Sequence, residues 1–161
     1  MITAVVAGSF DPITNGHVDI IRRGSALFDH VVVGCGHNLN KRYLCDLDRR
    51  MDLVRQSTST LQNVTVEPFE GLLVDFCKRL DAKVILRGLR ATSDFDFEFQ
   101  IGLANMDMAP QVETVFLLSP PDNIFISSSL VKEIAVNGGD VSRYVPPCVD
   151  TMLRETLGRG A

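Results

Sequence analysis

The chain has 161 residues, 45% hydrophobic and 22% charged, with a formal net charge of -4. That length favours one domain, spanning residues 1–161, and the apolar share suits a buried core rather than a disordered chain. The mild acidity excludes a surface coated with basic residues for duplex DNA or anionic membrane, yet leaves room for a local basic site.

Residues 2–7 (ITAVVA) are continuous, β-branched and stopped by glycine, which predicts a buried strand. Helical spacing over 16–28 places Val18, Ile21, Ser25 and Phe28 on one stripe. HVVVGC, 30–35, is a second buried strand, and 36–45 is a polar loop. Asp46 is a suitable N-cap for a helix to Thr60, with Leu47, Met51, Val54 and Leu61 in phase. NVTVEPF is a third strand, expected to end at Pro68. A short helix over 71–80 and the strand KVILRG follow.

Residues 92–109 form the longest predicted helix, closed by Pro110. It carries two apolar stripes: Phe95, Phe99 and Met106 on one, Phe97, Ile101, Ala104 and Met108 on the other. One stripe can cover the sheet; the second is either buried within the same domain or meets a neighbouring subunit. QVETVFLLS is a fifth strand, broken by PPDN. SSSLVKEIAV opens a helix with serine as N-cap and Glu133 in its early turns, and Gly138 and Gly139 end it. Pro146 and Pro147 start a last helix over 148–157, and the tail GRGA is expected to fray.

This alternation predicts an α/β fold: a Rossmann-like, doubly wound, five-stranded parallel sheet with helices on both faces. Cys35, Cys45, Cys77 and Cys148 form no C-x-x-C pair and have no histidine at zinc-ligand spacing, which fits buried thiols in a reducing cytoplasm. No secretory signal is visible, and no apolar run reaches the ~20 residues of a bilayer span.

Ligands bind such sheets at the carboxyl ends of the strands. Those ends carry GSFDPITNGH, GHNLNKR, RGLRATSD and SPPDNIFISSS. Gly8 and Ser9 offer backbone N–H groups without bulk, Gly16 permits close approach, and His17 stands in a first helical turn, where an anion is favoured. The alternative is a tight turn with a surface histidine. Neither a Walker loop nor G-x-G-x-x-G is present. Arg87 and Arg90 frame a glycine at a strand end and suit phosphate clamping, or are solvated. Lys41 and Arg42 add charge to the same edge, or are solvated as well. Ser127, Ser128 and Ser129 supply hydroxyls and N–H donors at a helix start, and Lys132 is expected to reach a phosphate one turn later. Asp94, Asp96 and Glu98 fit a helix N-terminus by charge alone; Asp94 and Glu98 share a face that could orient Arg90 or bind sugar hydroxyls. An anion pocket without a G-x-S-x-G nucleophile points to phosphoryl or nucleotidyl transfer by positioning and charge stabilisation.

GSFDPITNGH resembles the T/H-x-G-H signature of the nucleotidyltransferase superfamily, at Thr14, Asn15, Gly16 and His17, and ISSSLVKE resembles its second motif. RGLRATSDFDFEFQ, LVDF and GGDVSRYVP resemble the bacterial phosphopantetheine adenylyltransferase family in particular. The resemblance implies transfer of the adenylyl group of ATP to 4'-phosphopantetheine, giving dephospho-CoA and pyrophosphate in coenzyme A biosynthesis. It further implies Mg2+, a homohexamer and feedback by coenzyme A, while the cysteine usage, charge and hydropathy above point to a cytoplasmic protein with neither nucleic acid nor membrane as partner. By position it assigns Ser9, Phe10, His17, Gly88, Leu89, Arg90 and Glu98 to ATP, together with Asn123, Ile124, Phe125, Ile126, Ser127, Ser128 and Ser129. It assigns Ser9, Lys41, Leu73 and Arg87 to the acceptor, makes His17 and Lys41 catalytic, and names no metal ligand. Leu39, where the family commonly has proline, implies a more mobile loop around Lys41. Other readings are a nucleotidyltransferase with another phosphorylated acceptor and a non-catalytic ATP or coenzyme A sensor. A nucleic-acid module would need a basic and aromatic stripe that the chain lacks.

Overall fold

The computed structural model describes residues 1–158, without the side chains of Thr92 and Ser93; the rest of the tail expected to fray, 159–161, lies outside the described residues. Strands β1 (Thr3–Gly8), β2 (His30–Gly36), β3 (Val64–Phe69), β4 (Val84–Leu89) and β5 (Glu113–Leu118) form a parallel sheet in the order β3-β2-β1-β4-β5. Helices α1 (Asn15–Leu27), α2 (Leu47–Ser57), α3 (Leu73–Arg79) and α4 (Thr92–Met108) connect them. A 3-10 turn (Pro121–Asn123), α5 (Ser128–Val136) and α6 (Pro147–Thr156) follow β5.

The strand residues alternate between two apolar layers, as the pleat dictates. Val5 is in register with Val32 and Ile85, and all three pack with Val74, Phe76 and Cys77 of α3. Val6, Val33 and Leu86 face the opposite way, toward apolar residues of α1, α2, α5 and α6. Both faces are therefore covered, which explains why the strands read as continuous apolar runs. The strand order reverses at the β1–β4 pair, the place where such sheets bind ligands.

Three local expectations are corrected. Pro68 does not end β3: it sits opposite Cys35 and the strand runs on to Phe69. β3 is an edge strand, where proline loses no ladder bond on its free side. The inner face of α1 centres on Ile20, Ile21 and Gly24, with Val18 and Phe28 of the expected stripe packed at its edge and Ser25 only half-buried. A Cβ at Gly24 would stand 2.6 Å from a Leu86 methyl, so glycine lets α1 lie close to β4. The third concerns α4, whose inward face is Asp94, Phe97, Glu98, Ile101, Gly102 and Asn105, so that only Phe97 and Ile101 of the second apolar stripe turn toward the strand ends. Its large apolar side chains, Phe95, Phe97, Phe99, Leu103, Met106 and Met108, are exposed. The side of this helix that carries Asp94, Glu98 and Asn105 covers the strand ends, and most of its large apolar side chains face out.

Candidate active site

The loop after β1 is held from within. Thr14 is the N-cap of α1, and its hydroxyl accepts the His17 N–H at 3.4 Å. In return the Thr14 backbone N–H donates to His17 Nδ1 at 3.0 Å. A backbone N–H can only donate, so Nδ1 accepts and the neutral ring carries its proton on Nε2. Phe10, at φ +48° in the left-handed region, buries its ring edge-on to His17 with centroids 5.1 Å apart. Burial lowers the His17 pKa to about 4, and the nearby Arg90 and Arg87 charges push the same way. His17 is thus a neutral donor at physiological pH.

Between about 4 and the ordinary 6.5 the unfolded chain binds a proton that the folded chain refuses. Stability therefore falls as pH drops through that window and levels off below it. In the ligand-free protein, the NMR titration of His17 should have its midpoint near 4. A midpoint at the ordinary histidine value would remove the neutral-donor reading.

Asp11, 3% exposed, joins three segments. It accepts the N–H groups of Leu44 (2.8 Å) and Cys45 (2.9 Å), and Lys132 Nζ from α5 at 3.2 Å. Lys132, expected to reach a phosphate, is therefore paired with Asp11 here. Arg50 on α2 is wholly buried and donates to the carbonyls of Ser9 (2.6 Å) and Gly36 (2.9 Å), at the ends of β1 and β2.

The acids of α4 pair with the arginines of the β4 end. Arg87 grips Glu98 with two bonds, 2.8 and 2.6 Å, and donates to the Ala7 carbonyl at 3.0 Å. Arg90 bonds Asp94 (3.1 Å) and the Ile126 carbonyl (2.9 Å). Glu98 therefore orients Arg87 rather than Arg90, and Asp94 alone takes the role foreseen for both. Asp96 lies exposed on the outer side of α4.

Two cavities open at these strand ends. Ser9, Lys41, Leu73 and Arg87 line one of about 290 Å3, with Tyr43 and Asn105. Phe10, His17, Gly88 and Arg90 line a second of about 420 Å3. Glu98, Ile126, Ser127 and Ser128 complete its far wall. Ala7, Gly8, Arg87 and Glu98 belong to both, so the cavities meet across one ion pair at the β1–β4 junction. A Cβ at Gly16 would meet only ordinary contacts at 3.6 Å and beyond, so packing alone does not demand glycine there; its absence keeps room beside His17 in the larger cavity.

Leu89, Asn123, Ile124, Phe125 and Ser129 lie outside both linings. Leu89 accepts the Ser119 N–H through its carbonyl, and Asn123 sits beside Gly16. Ile124, Phe125 and Ser129 are exposed, with Phe125 edge-on to Tyr144 at 5.4 Å. Ser127 caps α5 by accepting the Leu130 N–H, and the Ser128 hydroxyl donates to the Pro12 carbonyl. Among the described residues, Lys41 is the one basic residue lining the cavities whose charged end makes no bond within the chain.

A family model described as cytidylyltransferase-like matches residues 5–134. A phosphopantetheine adenylyltransferase of Heliobacterium modesticaldum is 49% identical over 98% of this chain and 94% of its own length. One from Dictyoglomus turgidum is 50% identical over 96% and 97%, and one from Cupriavidus metallidurans 48% over 99% of each. The chain belongs to the phosphopantetheine adenylyltransferase family. The fold is shared more widely. The crystal structure of a candidate nicotinate-nucleotide adenylyltransferase from Vibrio parahaemolyticus superposes with a TM-score of 0.71 at 21% identity, covering 100% of this chain and 98% of that one.

Three residues of this family member escaped the sequence reading. Arg50 has a signal in hindsight, because it follows Leu47 by three on the buried side of α2, a position where a charge needs a reason. Asp11 stands inside the first motif, but its partners come from residues 44, 45 and 132. Tyr43 carries no local signal, since its contacts are with residues five and more away.

Proposed function

We propose that this chain transfers the adenylyl group of ATP to 4'-phosphopantetheine, releasing pyrophosphate and dephospho-CoA. The observation that carries the reading is the pair of cavities meeting across Arg87 and Glu98, with His17 on one side and Lys41 on the other. ATP occupies the larger cavity and the phosphorylated acceptor the smaller, which puts the acceptor phosphate against the α-phosphorus at the shared wall. That phosphate oxygen is already anionic, so no general base is required. It forms a bond to the α-phosphorus while the bond to the bridging oxygen breaks, and the electron pair leaves with pyrophosphate.

Each group then has one task. The Nε2–H of His17 donates to oxygen gaining charge at the α-phosphate. Lys41 meets the acceptor phosphate. Arg90 and the start of α5, at Ser127 and Ser128, receive the leaving phosphates. Leu73 gives the acceptor arm an apolar wall. The Asn105 side chain, 6% exposed and without a hydrogen bond inside the described chain, suits an amide of that arm.

Magnesium in this reading arrives with the nucleotide. The carboxylates around the cavities, Asp11, Asp94 and Glu98, are engaged by Lys132, Arg90 and Arg87. Among the described residues no group of three or more His, Cys, Asp or Glu side chains could hold a metal ion. This donor set does not fit a resident ion; Mg2+ is therefore taken as part of the MgATP substrate.

The test is an acceptor panel: 4'-phosphopantetheine, nicotinate mononucleotide, flavin mononucleotide and water, each with MgATP. Pyrophosphate and a product of dephospho-CoA mass are expected with the first. Turnover with another acceptor alone would leave only the superfamily, and ATP binding without turnover would favour a sensor.

The same reading makes the protein a cytoplasmic homohexamer in which a second copy covers the outward face of α4, where Met106 is 52% exposed and Phe95 stacks on Phe99 at 5.5 Å. Coenzyme A, which contains the pantetheine arm, competes for the smaller cavity. Sedimentation at micromolar concentration should give an oligomer; a monomer would remove this role for α4.

A further inference from the structure

Lys41 sits on the segment between β2 and α2, a stretch without regular secondary structure. A lysine on a free loop would have to be ordered each time the acceptor binds, at a cost in affinity. Here the segment is tied at both ends. Asp11 holds the Leu44 and Cys45 N–H groups. Asn38 turns the chain at the other end: its carbonyl accepts the Lys41 N–H at 3.0 Å and its side chain accepts the Asn40 N–H at 2.9 Å.

Tyr43 closes that turn. Its hydroxyl accepts the Asn38 N–H at 2.9 Å, so residues 38 and 43 are clamped with Lys41 between them. Its ring stacks on His37 with centroids 5.9 Å apart and lies 4.0 Å from the Arg50 guanidinium carbon. Arg50 is a fixed platform, bonded to the ends of both β1 and β2. Its Nε is buried without a partner, and no carboxylate pairs with it among the described residues. The face of Tyr43 therefore also supplies part of what a buried cation needs.

We propose that Tyr43 is a positioning residue for the acceptor half of the site: by closing the 38–43 turn onto Arg50, it presents the Lys41 ammonium to the acceptor phosphate. This rests on the function proposed above. Tyr43 acts through Lys41, so its effect falls on the acceptor and not on ATP.

The experiment is steady-state kinetics on the full chain, with the fold checked by circular dichroism. Tyr43→Ala should raise the KM for 4'-phosphopantetheine by about tenfold and leave the KM for ATP within about twofold. Tyr43→Phe, which keeps the ring on Arg50 and loses only the Asn38 bond, should fall between Tyr43→Ala and wild type. The double variant Tyr43→Ala/Lys41→Ala should be no worse than Lys41→Ala alone, since one residue works through the other. An unchanged acceptor KM, equal rises for both substrates, or additive losses in the double variant would overturn the proposal. Should Tyr43→Ala misfold, Tyr43→Phe and its double variant carry the same comparison. A wild type that binds 4'-phosphopantetheine without turnover defeats the functional reading alone. The clamp is then read from calorimetric affinities, with the same ordering expected. A wild type that does not bind the acceptor overturns both.

Discussion

Replacing His17 with alanine should lower kcat for acceptor-dependent pyrophosphate release by ~10²–10³, about 2.7–4 kcal/mol of transition-state stabilisation. The KM for ATP should change little, because the lost bond forms as charge develops. The reason lies in the capping arrangement at Thr14. The backbone N–H fixes Nδ1 as acceptor, so the proton on Nε2 is held ready with no reorganisation at the moment of reaction. The low pKa sharpens the expectation: a ring neutral down to about 4 predicts that the free enzyme shows no kcat/KM inflection from His17 near 6.5. The substitution also breaks half of the capping box, worth about 1 kcal/mol of stability. A melting curve separates that loss from the kinetic one. A fall in kcat under threefold, with the fold intact, would remove His17 from the chemistry.

Asp11→Ala should destabilise the protein by about 3 kcal/mol, read from urea unfolding. The carboxylate is buried and satisfies two backbone N–H groups and one ammonium at once. Its removal strands one buried and one partly buried N–H donor and leaves Lys132 unpaired on α5. Lys132 keeps about a third of its side-chain exposure, which holds the figure at the lower end of the range for broken buried pairs. Asp11→Asn should cost less, since one amide oxygen can keep one of the N–H bonds. Activity should fall further than stability alone requires, because the same residue anchors the segment carrying Lys41. A loss below 1 kcal/mol would mean that the three segments hold together without it.

The sheet was legible because its strands are buried on both faces. ITAVVA and HVVVGC could hardly be anything else, and the ligand edge followed from where the strands end. The residues gathered at that edge were legible for the same reason: glycines, arginines and serines stand out against apolar strands. What stayed hidden depends on distance in space. Nothing local indicates that Glu98 reaches Arg87, eleven residues away and on another element, rather than Arg90. The composition of α4 showed two apolar stripes, yet only Phe97 and Ile101 of the second turn toward the cavities that it roofs, beside Asp94, Glu98 and Asn105, while the first stripe is exposed. Leu39 suggested a loose loop, while Asp11, Asn38 and Tyr43 tie that loop down through partners that only the fold supplies.

The central claim is a single displacement between two ligands held on either side of Arg87 and Glu98, with no protein nucleophile between them. The measurement that tests it most directly is the stereochemical course at the α-phosphorus, using ATP made chiral there by one sulfur. One in-line displacement predicts inversion of configuration in the adenylylated product. Retention would require two displacements through a covalent adenylyl-protein, and would contradict a site that works by positioning and charge alone.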